Sequence, residues 1–201
     1  MASVPSATVV LLGTPDLRGA VERWERRRFA GRAERELLGL TMLPFPRLVA
    51  LVEHVDRVVS DGVEGAFVEC GVWRGGASFL MAKRLEVRHG RTDRVWMFDS
   101  FEGMPAPKEI DGVAALQWAA NRDAPNYFDN ARASEEEVLA AAERLGLDDR
   151  VKTVKGWFED ILRRTREEVG PIALLRIDAD WYDSVRSVLD ELYDQVAPNE
   201  K

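Results

Sequence analysis

Four short apolar runs, at 66–68, 94–99, 151–154 and 172–177, are each followed by a stretch with helical spacing. Strand and helix in strict alternation leave few folds open. Each parallel strand must be reached through a crossover, and crossovers are right-handed and lie on the sheet faces. The expected class is α/β, a parallel sheet with helices on both faces. Ligands in such sheets sit beyond the carboxyl ends of the strands, near the reversal in strand order. The sequence puts Glu69, Asp99, the Gly156-Trp157 turn and Asp178 with Asp180 at those ends. Packing alone does not call for acids or an aromatic turn at all four.

The first of these ends is also a glycine turn. Ala66-Phe67-Val68-Glu69-Cys70 runs into Gly71, Gly75 and Gly76, and a helix follows from about Ala77. Glycines let the backbone turn tightly and let a ligand approach it, and amides at the start of the helix favour polar or anionic groups. Asp99, one crossover later, is placed to accept hydrogen bonds from the ribose of an adenosine-bearing cofactor; the competing role is a helix cap. Trp157 and Phe158 could flank an adenine ring, or Phe158 could pack in the core. Asp178 and Asp180 lie two apart and on an extended stretch face one side. They could hold a hard divalent cation, or one could serve as general base, while Asp180 or Asp183 could instead cap the helix from Ser184. A nicotinamide-cofactor oxidoreductase is disfavoured, because the G-x-G-x-x-G spacing is not found at 69–76.

A net charge of -7 argues against non-specific nucleic-acid binding. The lone cysteine, Cys70, rules out an internal disulfide and reads as a packed thiol in an apolar strand. The apolar run 8–12 is far too short to span a bilayer, and a cytoplasmic protein is expected. Residues 1–15 read as a loose arm, and Asp16 to Leu40, rich in Arg and Glu, as one or two amphipathic helices interrupted near Gly31. Residues 1–60 thus form an N-terminal arm and helices, and 61–201 the core. Within 47–60 the valines and leucines have helical spacing, with His54 among them as a surface or satisfied histidine. Residues 100–133 show no steady period and are expected to form a flap over the site. Ser134-Glu135-Glu136-Glu137 is a capping-box signature.

Several separated segments closely resemble the macrocin O-methyltransferase family: Thr41-Met42, the helix 47–60, D-G-V-E-G-A-F-V-E-C-G-V-W-R-G-G-A at 61–77, V-W-M-F-D-S-F-E-G-M-P at 95–105, G-W-F-E-D-I-L at 156–162 and L-R-I-D-A-D-W-Y-D-S at 175–184. The resemblance spans about residues 41–197. It implies a Rossmann-like methyltransferase fold and transfer of a methyl group from S-adenosylmethionine to a sugar hydroxyl of a natural product, as in antibiotic biosynthesis. It further implies Mg²⁺ dependence and homo-oligomers in which N-terminal segments contribute across subunits. By position, Glu69, Gly71 and Gly75, with Val72 and Trp73 between them, would cradle the methionine end of the cofactor. Asp99 would hold the ribose with Ser100 and Phe101 beside it, and Gly156, Trp157 and Phe158 would bound the adenine. Asp178 would be a metal ligand and, with Asp180, stand beside the reacting hydroxyl. Family members continue past the helix at 184–197 with a fifth strand and an Asp-Asp pair that completes the metal site. The expectation here is therefore a core truncated after the fourth strand, whose open apolar edge another chain would cover, and either an enzyme or a cofactor-binding partner without its own turnover.

Overall fold

The computed structural model describes residues 8–9, 36–121 and 131–197. Its strands are β1 (Thr8–Val9), β2 (Ala66–Cys70), β3 (Val95–Asp99), β4 (Val151–Lys155) and β5 (Ile172–Ile177). All pair in parallel, in the order β1-β5-β2-β3-β4. The helices are α1 (Phe45–Ser60), α2 (Gly76–His89), α3 (Val113–Ala120), α4 (Glu135–Leu145), α5 (Phe158–Val169) and α6 (Tyr182–Leu192). The chain leaves β2 toward β3 and β4 on one side and returns to β5 on the other. The order therefore reverses at β2, and the loops after β2 and β5 open on the crevice between them.

Period-two alternation divides the strands between two cores. Phe67, Met97 and Leu174 face α1, α2 and α4, while Val68, Cys70, Phe98 and Leu175 face α5 and α6. Both faces are covered, as parallel strands rich in Val, Leu and Ile require. In α1 the expected stripe of Leu48, Val49, Leu51, Val52, Val55 and Val58 is buried throughout. His54 is satisfied within its own helix, Nδ1 lying 2.5 Å from the Ala50 carbonyl oxygen. The capping box at Ser134 is formed: its hydroxyl accepts from the Glu137 amide at 3.2 Å, and the Glu137 carboxylate accepts from the Ser134 amide at 2.8 Å.

Three sequence expectations are corrected. The sheet has five strands, because Thr8 and Val9, within the arm expected to be loose, pair with Leu174 and Leu175. An uncovered parallel edge presents unpaired backbone groups, and this short strand meets them, together with Ala197, whose amide donates to the Ile172 carbonyl at 2.9 Å. The last helix starts at Tyr182 and ends at Leu192; Val196, expected on it, bridges to Ile172 instead. Segment 100–133 is not irregular throughout, since it holds a 3-10 turn at Glu109–Asp111 followed by α3. That helix escapes a periodicity reading because it has scarcely a buried side: Val113 and Leu116 are exposed and only Ala115 is buried. The helices expected between Asp16 and Leu40 lie outside the described residues except for a helical turn at 36–38.

Candidate functional site

The glycine turn after β2 is shaped by the strand beside it. Gly71 has φ of 90°, and a Cβ there would run into the Asp178 carbonyl oxygen as the chain leaves β5. Three cross-strand bonds draw the strand ends together: Gly71 N–H donates to Phe98 O at 2.9 Å, Asp178 N–H to Cys70 O at 2.8 Å, and Gly156 N–H to Asp99 O at 2.9 Å. The result is a cleft of about 250 Å³ over the carboxyl ends of the sheet.

Asp99 is the hub of its floor. One carboxylate oxygen accepts from the amides of Val72 at 2.6 Å and Trp73 at 3.1 Å, the other from the Phe101 amide at 2.8 Å. Trp73 and Phe101 are the non-glycine residues with left-handed backbone, φ 51° and 54°, among the described residues. Such conformations cost on the order of 1–3 kcal/mol each and persist only where surroundings over-determine them. Here the over-determining group is a single carboxylate. The helix-cap alternative for Asp99 does not describe this arrangement, since its partners lie in two loops and not in a helix.

Glu69 is placed differently from expectation. It is 1 % exposed and does not line the cleft. It accepts from the Ser78 hydroxyl at the start of α2 and pairs with the Arg176 guanidinium of β5, itself 4 % exposed. Burial pushes the Glu69 carboxyl up, and the guanidinium and the hydroxyl pull it back. Arg176 reaches on to Asp178, donating to one carboxylate oxygen at 2.9 Å. Burial opposes the Arg176 charge, but the two carboxylates hold its pKa above the ordinary arginine value. Asp178 is half exposed and lines the cleft, as does Asp180. Partial desolvation, and then the neighbouring Asp178 charge, hold the Asp180 carboxyl above the usual carboxylate range. Neither Asp180 nor Asp183 caps α6; the N-cap position is Trp181. Burial, and after it the charges of Glu69 and Asp99, push the Cys70 thiol well up, so it is inert packing.

Of the residues expected at the site, Gly71, Trp73, Asp99, Ser100, Gly156, Trp157, Phe158, Asp178 and Asp180 share this one cleft. Glu69, Val72, Gly75 and Phe101 stand behind its wall, Val72 and Phe101 acting through Asp99. Phe158 both lines the cleft and packs on the core under α5, so its two roles coexist. Sequence reasoning missed Met42, Leu43 and Arg47 at the entry to α1, Glu159, Trp181 and Ser184, while Gly103, Met104 and Pro105 in its wall fall within the 100–133 segment expected over the site. Trp181 Nε1 donates to the Pro105 carbonyl at 2.9 Å, and its ring lies 5.7 Å from that of Trp118 on α3. The 105–118 segment is thus docked on the start of α6. Trp181 directly follows Asp180 in the sequence, and that adjacency was the available signal for it.

Two observations bear on ligands. Trp73, in the cleft wall, carries a buried Nε1–H with no partner among the described residues; such orphaned donors are costly unless something meets them. Asp178 and Asp180 offer hard oxygen donors of the kind Mg²⁺ takes, one or two carboxylates with waters filling the rest. Among the described residues there is no group of three or more His, Cys, Asp or Glu side chains placed to hold a metal, and no helix is long and apolar enough to cross a membrane.

Comparison with known proteins gives this geometry its family. The chain is 38% identical over 161 residues to the 8-demethyl-8-(2,3-dimethoxy-alpha-L-rhamnosyl)-tetracenomycin-C 4'-O-methyltransferase of Streptomyces olivaceus, covering 79% of this chain and 59% of that protein. It is 36% identical over 158 residues to the demethyldecarbamoylnovobiocin O-methyltransferase of Streptomyces niveus, covering 78% and 58%. The chain therefore spans about three fifths of the length of these curated relatives. Among solved structures, the O-methyltransferase NovP superposes with a TM-score of 0.67 at 34% identity, over 90% of this chain and 76% of that one. The calicheamicin methyltransferase CalS11, at 19% identity and a TM-score of 0.61, shares the fold. The family model described as Macrocin-O-methyltransferase (TylF) matches residues 15–199, and the chain belongs to that family.

Proposed function

We propose that this chain carries the cofactor half, and one acidic corner of the reaction site, of an S-adenosylmethionine-dependent, Mg²⁺-assisted O-methyltransferase acting on a sugar hydroxyl of a natural product. The observation that carries the reading is the convergence of Asp99 and the Asp178–Asp180 pair on one cleft at the strand reversal. Bound there, the cofactor supplies a methyl group on a sulfonium, and a divalent cation lowers the pKa of the acceptor hydroxyl. The chain's own residues do the rest. Asp99, already holding the turn through three amides, has a lone pair left for a ribose hydroxyl. Trp157 and Phe158 offer faces to the adenine, and Trp73 Nε1–H offers a donor. Asp178 is oriented from below by Arg176, while Asp180, whose proton affinity is raised, suits removal of the hydroxyl proton. Holding donor and acceptor in line supplies much of the rate.

A second reading, a cofactor-binding partner of the same fold without turnover of its own, draws on the lack of a three-ligand cluster among the described residues. Calorimetric titration with S-adenosylhomocysteine, with and without Mg²⁺, separates the two. Tighter binding with Mg²⁺ supports a working metal corner, binding indifferent to Mg²⁺ favours the partner, and no binding at all ends both. We place the protein in the cytoplasm as a homo-oligomer or with a partner chain on the β5 edge, where β1 contributes two residues.

A further inference from the structure

The cleft is lopsided in charge. Among the described residues Asp99, Glu159, Asp178 and Asp180 line it, and against these four carboxylates stands a single basic side chain, Arg47. Asp178 is served from beneath by Arg176, so Arg47 is the cation that faces the open space. Its position has no internal explanation. It lies in the first turn of α1, where the positive end of the helix disfavours a cation, and no acid shares that turn. Its side chain has no hydrogen bond or ion pair among the described residues, whereas the cleft's other nearby arginine, Arg176, is paired to both Glu69 and Asp178. Its backbone nevertheless is anchored. The Gly76 amide donates to the Leu40 carbonyl at 3.0 Å, fastening the entry to α1 against the glycine turn, and the next residues, Leu48 and Val49, are buried. A guanidinium that lines the cleft together with Gly71 and Trp73, and has no partner among the described residues, is available to an anion.

We propose that Arg47 binds the α-carboxylate of the cofactor's amino-acid end. Four acids would repel that carboxylate, and one guanidinium at the α1 entry, on the cleft wall it shares with Gly71, both offsets the repulsion and sets the cofactor's direction, carboxylate toward α1 and ribose toward Asp99. This rests on the reading of the cleft as an adenosyl-cofactor site, and the test separates the two. The intact chain and its Arg47→Ala and Arg47→Lys variants are titrated calorimetrically with S-adenosylhomocysteine and with 5'-methylthioadenosine, which keeps the nucleoside and sulfur but lacks the amino-acid end. The Ala variant should lose about ten- to a hundredfold in affinity for S-adenosylhomocysteine, the range for a hydrogen bond to a charged group. Its affinity for 5'-methylthioadenosine should stay within about twofold, and Lys should recover part of the loss. Equal losses for both ligands would make Arg47 a structural residue, and no loss for either would remove it from the site; each outcome overturns the assignment. Failure of the unaltered protein to bind either ligand would instead sink the cofactor reading, and this one with it. Arg47 is exposed, so the variants are expected to fold, which thermal denaturation checks.

Discussion

Asp99 and Asp178 are the same residue type at the ends of two strands in one sheet, yet the fold holds them by opposite means. Asp99 is gripped by backbone, three amides from two loops closing on its two oxygens. Asp178 is gripped by one side chain, Arg176, and is otherwise half open to the cleft. Two of the Asp99 donors, Trp73 and Phe101, are themselves locked in left-handed backbone and cannot follow a carboxylate that moves, so the β3 end is a fixed berth. A guanidinium shared with a buried Glu69 can trade part of its bonding, so the β5 end is the adjustable corner. The contrast matches the tasks proposed for them: a nucleoside must be seated the same way each time, whereas an acid beside a reacting hydroxyl must respond as charge develops.

The sharpest way to break the contrast is to cut the side-chain grip. Arg176→Met would leave Glu69 buried without its counter-charge and free Asp178 from its tether. Breaking a buried pair by removing one partner costs about 3–5 kcal/mol, to be read as a loss of thermal and denaturant stability. The same variant should become less stable as pH rises. With the guanidinium gone, burial alone raises the Glu69 carboxyl, the folded state holds a proton the unfolded state has shed, and stability falls between the unfolded and folded pKa values. A stability loss under about 1 kcal/mol would show that the pair is not the keystone described. Next in size is Asp99→Ala. It deprives the Val72, Trp73 and Phe101 amides of their acceptor, and S-adenosylhomocysteine affinity should fall by about 1–3 kcal/mol. Unchanged affinity in a folded variant would take Asp99 out of the site.

The two ends also differ in how far they could be read beforehand. The acid at each strand end, the glycine turn and the alternation of strand and helix are local patterns, and Gly71, Asp99, Trp157, Asp178 and Asp180 duly meet in one cleft. What escaped notice is what depends on register. Glu69 faces into the sheet because the period of two puts it on the side of Phe67, and only the pairing of Glu69 with Arg176 across β2 and β5 explains a buried charge there. Trp73 could not be foreseen in a left-handed turn between glycines, since the conformation is imposed by a residue 26 positions away. Arg47 and Trp181 come to the cleft through tertiary docking, of the α1 entry on Gly76 and of Pro105 on α6, and neither contact has a periodic trace in the sequence.

The smallest expected effect probes the adjustable corner without cutting it. Partial desolvation and the Asp178 charge raise the Asp180 carboxyl, so in the folded state its ionised form is held against a cost that the unfolded chain does not bear. The sign follows: the native state binds the proton more tightly, so stability contributed by the neutral form is present below the unfolded value and is lost as pH rises through the folded one. Asp180→Asn keeps the shape and removes the charge. It should therefore stabilise the fold slightly at neutral pH, by no more than about 1 kcal/mol for a solvent-screened group, read as a small rise in melting temperature, and the gain should vanish in acid, where Asp180 is protonated in any case. Methyl transfer by the assembled enzyme should nevertheless fall, because the group suited to take the hydroxyl proton is gone. A variant that is more stable at neutral pH and equally active would confine Asp180 to the electrostatics of the cleft and leave Asp178 as its reactive acid. A variant whose stability is unchanged at every pH would show that neither desolvation nor the Asp178 charge raises the Asp180 carboxyl, and would take from the β5 corner the proton affinity proposed for it.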